Sequence, residues 1–180
     1  MHFCVRMLCF FRMEEQKKLR IGWFSFSCCE DSTILFTEIL NDHYAEWLPK
    51  LEIVHARVLQ TKNTMAPMDV AFIEGAVASD EQAEKVKEIR KLATKVVAIG
   101  ACAVTGMPSS QRNSFDEKTN EEIQFLKDRF QYADKVRKLD EVITVDVAVP
   151  GCPMVEAKFL EAMDAMFREF GIAPKGEQGL

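Results

Sequence analysis

Nowhere does the chain offer the ~20 consecutive apolar residues that a membrane-spanning helix needs, although 48% of its 180 residues are hydrophobic. It is poor in breakers, with eight glycines and six prolines, which excludes collagen, low-complexity arrays and extended disorder. It lacks an excess of positive charge. Its 23 Lys and Arg against 28 Asp and Glu give a net charge of −5, and a dedicated nucleic-acid binder would carry a basic patch. It has three histidines and no C-x-x-C pair, so neither a thioredoxin-like centre nor a Cys–His nucleophile finds support. No secretory signal is expected either. Residues 1–12 (MHFCVRMLCFFR) are apolar, but Arg6 interrupts them and Arg12 closes them, whereas a signal h-region is longer and ends in small residues. The expected compartment is the reducing cytoplasm, where disulfides do not persist.

What is present is six cysteines, too sparse for a disulfide scaffold and many for an inert cytosolic domain. Apolar, β-branched runs alternate with segments of helical period. Leu19–Phe26, Leu51–Leu59, Asp69–Ile73, Lys95–Ile99 and Val142–Val149 read as strands covered on both faces. Ser32–Leu40 reads as a helix. A second begins after Ser79, an N-cap with Gln82 as its capping-box partner. A third runs over Asp116–Phe130, with Ile123, Leu126 and Phe130 directed at the core. The last opens at Pro153, lines Val155, Phe159, Met163, Met166 and Phe170 on one face, and stops at Gly171. Residues 101–115 read as a long polar loop. The alternation predicts one α/β domain over residues 19–173, a doubly wound parallel sheet. Residues 1–18 are expected to be an N-terminal extension, with a hydrophobic contact arm as the alternative for 1–12, and residues 174–180 a loose tail.

Cys4 and Cys9 fall in the extension. The other four follow strands: Cys28 and Cys29 after the first, Cys102 after Lys95–Ile99, Cys152 after Val142–Val149. In a parallel sheet these βα junctions share the carboxyl edge, where open α/β sheets bind ligands. Any one of them could be an ordinary small core residue, but four at one edge point to gathered thiolates. Structural zinc uses C-x₂₋₄-C knuckles, which are missing. Four thiolates suffice for an iron–sulfur cluster. Gly100, Gly106 and Gly151 allow the chain to approach such a group closely, and their N–H groups can donate to its sulfur.

The motifs carry a resemblance. Cys28-Cys29 after the first strand, Ala71-Phe72-Ile73-Glu74-Gly75, Gly100-Ala101-Cys102-Ala103-Val104-Thr105-Gly106 and Pro150-Gly151-Cys152-Pro153 together resemble the small, electron-transferring subunit of [NiFe]-hydrogenases. They also resemble its relative in respiratory complex I, the 20-kDa NADH:quinone oxidoreductase subunit. The resemblance spans about Leu19 to Gly171, and Asp69–Gly106 looks most like soluble sulfhydrogenase and cofactor-linked hydrogenase small subunits. It implies a flavodoxin-like fold and one [4Fe–4S] cluster facing a [NiFe]-hydrogenase-type large subunit, with a flavin- or ferredoxin-type electron-transfer subunit beyond it. Hydrogenase small subunits have C-x-x-C after the first strand. Here Cys29 fills the first of those positions and Ser32 the second, while the tandem Cys28–Cys29 is the complex I arrangement. The preferred ligand set is Cys28, Cys29, Cys102 and Cys152; the alternative replaces Cys28 with the Ser32 oxygen. Glu74 is implied near the large-subunit face, as an interface or proton-linked carboxylate, against the plainer reading of a carboxylate bonded to nearby N–H groups.

Overall fold

The computed structural model describes residues 17–172. The expected contact arm, together with Cys4 and Cys9, and the expected tail lie outside the described residues. Five parallel strands form one sheet: β1 (Leu19–Ser25), β2 (Leu51–Ala56), β3 (Met68–Glu74), β4 (Ala93–Ile99) and β5 (Val147–Val149). Their order is β2-β1-β3-β4-β5, which is the flavodoxin-like doubly wound order.

Alternation along the central strands sends side chains to two cores. On one face Leu19, Ile21 and Trp23 of β1 and Val70 and Phe72 of β3 meet α1 (Asp31–Asp42), the single turn α2 (Tyr44–Trp47) and α6 (Glu156–Glu169). Trp23 stacks on Phe36 with ring centroids 4.2 Å apart, and Phe159 meets both edge-on. On the other face Phe24, Ala71, Ile73, Val96 and Ala98 pack against Ala83, Val86 and Ile89 of α3 (Asp80–Leu92). Fully burying a Phe or Ile side chain of this kind contributes about 2 kcal/mol, so the sheet centre anchors the fold.

The helix boundaries show where local chemistry governs and where distant partners do. Ser79 caps α3 by accepting the Gln82 N–H at 3.1 Å. Gln82, however, returns its side-chain oxygen to the N–H of Ala78 at 2.8 Å, one residue before the cap. Residues 101–115 are not a loop. Gly100–Thr105 form the short helix α4, and Ser109–Ser114 a 3₁₀ turn. Arg112 donates to the carbonyls of Ala133 and Asp134, while Asn113 exchanges bonds with the Val136 backbone, so polar side chains rather than apolar period hold this segment. The fifth strand is only three residues long. The start of the expected strand folds back instead: Val142 and Ile143 donate to the Leu139 carbonyl of a 3₁₀ turn (Leu139–Glu141), and Asp146 takes the Val96 N–H with its carboxylate. Pro153 does not open α6; Val155 is the N-cap and is exposed.

The helix α5 (Glu117–Phe130) forms as expected, with the Asp116 carboxylate accepting the Thr119 N–H. Its apolar side does not enter the core. Phe125, Leu126 and Phe130 are exposed, and no residue of α5 belongs to either of the two cores that flank the sheet.

Candidate metal centre

All three cysteine-bearing junctions converge. Cys28, Cys29, Cys102 and Cys152 line one narrow cleft of about 10 Å³ at the carboxyl edge, with Asp31, Ser32, Glu74, Gly100 and Gly151 among its walls. None is in a disulfide. Cys28 is half-buried and Cys102 buried, whereas Cys29 and Cys152 are exposed. Cys28 and Cys102 share an apolar cluster with Ala76, Ala78 and Val136. The Cys29 Sγ, Cys152 Sγ and an Asp31 carboxylate oxygen lie within 4.8 Å of one another.

The adjacent cysteines can serve one cleft because the backbone turns directly after them. Glu30 has φ 64°, a left-handed conformation uncommon for a residue with a Cβ, and it ends the extended chain before α1. Gly100 (φ +79°) makes the turn into α4, and a Cβ there would come 3.0 Å from the Ser32 hydroxyl. The Ala101 N–H donates to the Gly151 carbonyl at 2.6 Å, which joins the Cys102 junction to the Cys152 junction through the backbone.

Glu74 ends β3 and is buried beneath the cysteine turn. Its Oε1 accepts the Ser32 N–H at 3.1 Å and its Oε2 the Thr33 hydroxyl at 2.6 Å. Thr33 in turn accepts from the Trp23 indole at 2.8 Å. The α1 N-terminus has no side-chain cap of its own, so Glu74 caps it from a neighbouring strand, where a carboxylate also favours the helix dipole. Glu74→Ala is expected to leave the Ser32 N–H without a partner in the interior, to take the carboxylate acceptor from the Thr33 hydroxyl, and to destabilise by about 2 kcal/mol, measured by urea unfolding.

Ser32 holds the junctions as well. Its hydroxyl accepts the Met154 N–H at 3.1 Å, so its oxygen braces the Cys152 loop. Ser109 adds a contact that sequence reasoning missed. Its hydroxyl lies 3.3 Å from Cys102 Sγ and 2.9 Å from the Ser27 carbonyl, and its single hydrogen serves one of them at a time.

The tandem thiols of Cys28 and Cys29 are held towards the neutral form. Burial, reinforced by the Glu74 charge, pushes the Cys28 thiol up to about 12. For Cys29 the Asp31 N–H acts to lower the value, but burial and the Asp31 carboxylate together outweigh it and the net shift is upward. Metal ligation therefore has to displace protons here.

Beside Cys28, on the side away from Glu74, lies a second cavity of about 590 Å³. Phe26, Phe115, Ile123, Leu126 and Tyr132 line it, with Arg112 at its wall. The uncovered face of α5 therefore adjoins the cysteine edge.

The sheet and its four free cysteines define the class as a doubly wound α/β domain with a thiol-lined carboxyl edge, the edge where such sheets bind ligands. The comparisons narrow it. Residues 28–166 match the family model described as NADH ubiquinone oxidoreductase, 20 Kd subunit, and the chain belongs to that family, which [NiFe]-hydrogenase small subunits share. The delta subunit of the NAD-reducing hydrogenase HoxS of Cupriavidus necator is 24% identical over 152 residues, 76% of this chain and 72% of that protein. An F420-non-reducing hydrogenase subunit of Methanothermobacter thermautotrophicus is 33% identical over 124 residues, 61% of this chain. The chain spans only 40% of that protein's length. A crystal structure of an NAD+-reducing [NiFe]-hydrogenase in the H2-reduced state superimposes with a TM-score of 0.69 at 25% identity, covering 90% of this chain and 97% of the matched chain. Among the described residues no helix is long and apolar enough to cross a membrane.

Proposed function

We propose that the chain is the iron–sulfur electron-transfer small subunit of a [NiFe]-hydrogenase-type complex, with one [4Fe–4S] cluster held by Cys28, Cys29, Cys102 and Cys152. The observation that carries this reading is the convergence of four free cysteines, from three βα junctions, on one cleft. The donor set suits the group: thiolates are the usual cluster ligands. Cys29 and Cys152, both exposed, form the outer wall, so a larger group is admitted by turning two side chains. When bound, the cluster supplies one-electron transfer. The protein's own part is to fix and insulate it. Glu74 and Ser32 brace the junctions, and the packing of Ala76, Ala78 and Val136 keeps Cys102 buried.

The partner in this reading is a large subunit that carries the catalytic metal, seated over the cleft mouth and the adjoining apolar face of α5. Contiguous exposed apolar surface of that kind marks an interaction site. Electrons then pass to a flavin- or ferredoxin-type subunit in the cytoplasm. The tandem Cys28–Cys29 favours a second reading, a complex I-like module whose large subunit does not handle H2. A co-purified large subunit with two C-x-x-C pairs supports the first; one without them supports the second.

Anaerobic purification tests the cluster itself. A brown protein with about four iron and four sulfide per chain is expected. A folded, colourless, iron-free chain would leave a flavodoxin-like binding domain with cysteines in its walls, and would refute the reading.

A further inference from the structure

Beside the four cysteines, three oxygen-bearing side chains line the cleft; Ser32 and Glu74 are engaged in bracing the junctions, which leaves a fifth donor. The fifth is Asp31, at the first position of α1. The donors divide by depth. Cys28 and Cys102 form an inner pair, packed together with Ala76, Ala78 and Val136. Cys29, Asp31 and Cys152 form an exposed outer trio whose ligand atoms lie within 4.8 Å of one another. A four-iron cluster presents four corners to the protein. The inner pair supplies two of them. The outer two corners have three donors within reach, their ligand atoms within 4.8 Å of one another.

We propose that Asp31 is a spare oxygen donor to the centre, able to take the iron corner of Cys29 or of Cys152. The proposal rests on the cluster reading above and adds a ligand to it. Carboxylate oxygen is a harder donor than thiolate but binds iron. The exchange is redox-neutral. An iron–oxygen bond to Asp31 forms as the iron–sulfur bond to Cys29 breaks, no electron moves, and the released thiolate takes a proton from water. The inner corners have no such reserve: Asp31 lies on the exposed rim, Glu74 is held by the Ser32 N–H and the Thr33 hydroxyl, and the Ser32 hydroxyl by the Met154 N–H. The site is therefore asymmetric: loss of an outer thiolate is tolerated, and loss of an inner one is not.

The test uses the full chain reconstituted anaerobically with ferrous iron and sulfide, read by iron and sulfide per chain and by Mössbauer spectroscopy. Cys29→Ala is expected to keep about four irons, one of them with the isomer shift of an oxygen-ligated site. Cys29→Ala combined with Asp31→Ala is expected to fall to a three-iron centre or to none. Equal iron content and identical spectra in these two variants overturn the proposal. Cys152→Ala with and without Asp31→Ala repeats the comparison at the other outer corner, and decides the matter if Cys29→Ala fails to fold. A native chain that takes up no iron overturns the cluster reading itself. That result is distinct from iron loss confined to the outer-cysteine variants, which overturns only the role of Asp31.

Discussion

Cys28→Ser is expected to cost the chain its native four-iron centre, either by loss of the metal or by conversion to a different cluster. Cys28 sits on the inner side of the cleft, against Cys102, and the spare carboxylate at Asp31 lies on the outer rim with Cys29 and Cys152. Ser32, the position a hydrogenase-type C-x-x-C would use, is already engaged. Its hydroxyl takes the Met154 N–H and its own N–H is held by Glu74. Freeing that oxygen would break the brace between the Cys28–Cys29 turn and the Cys152 loop. The substitution itself is small and half-buried, so the fold is expected to survive with a loss of about 1 kcal/mol or less. Iron and sulfide per chain, the reduced electron paramagnetic resonance spectrum and a thermal melt of the same sample check the result. If iron content and reduced spectrum are unchanged, Cys28 is not a ligand and the tandem assignment is wrong.

The parts of this molecule that were legible in the sequence are those governed by period. Leu19–Phe26 and Asp69–Ile73 have apolar residues on both faces, as strands between two helical layers must, and they emerge as β1 and β3 within a residue at each end. Once the strands are parallel, their carboxyl ends share an edge, so the meeting of Cys28, Cys29, Cys102 and Cys152 follows from topology alone. What was not legible depends on partners distant in sequence. Asp31 in a first helical turn reads as an ordinary dipole-favoured acid, and only the approach of Cys152, 121 residues on, brings it within 4.8 Å of two thiols. Glu74 could be read as a carboxylate bonded to nearby N–H groups, but the sequence does not show that the groups it bonds belong to the first turn of α1, which it caps from outside that helix. The stripe Ile123, Leu126 and Phe130 has the period of a core face. Periodicity reports that a helix has an apolar side, not that this chain supplies the cover, and α5 leaves most of that side open. Val142–Val149 departs from its expected strand for a related reason. Val142 and Ile143 donate to the Leu139 carbonyl, Asp146 bonds Val96 of β4 through its N–H and its carboxylate, and only Val147–Val149 pairs with β4 as a strand.

The glycine before Cys152 should be the least replaceable backbone position in the centre. Gly151 has φ +115°, and a Cβ built there would lie 2.5 Å from the Pro153 carbonyl oxygen and 2.8 Å from the Val155 nitrogen. Both neighbours are backbone, so neither can swing aside as a flexible side chain would. They are also fixed in place, since the Val155 N–H donates to the Pro150 carbonyl at 2.8 Å. Gly151→Ala therefore combines left-handed strain with a backbone clash and is expected to destabilise by about 3 kcal/mol or more. For a domain of this size that is a fall in Tm of roughly 10 °C. Gly171 separates the two contributions. It also has positive φ, +69°, but nothing lies within 4 Å of its Cβ position, so Gly171→Ala carries the strain alone, about 1 kcal/mol. The variants should differ in metal as well as in stability. The Gly151 carbonyl holds the Ala101 N–H at 2.6 Å, so displacing residue 151 moves the Cys152 turn and pulls on the Cys102 turn together. Gly151→Ala should lose iron even well below its Tm, while Gly171→Ala, far from the cleft, should keep its full complement. Equal iron content in the two variants would show that the Cys152 turn does not position a metal ligand.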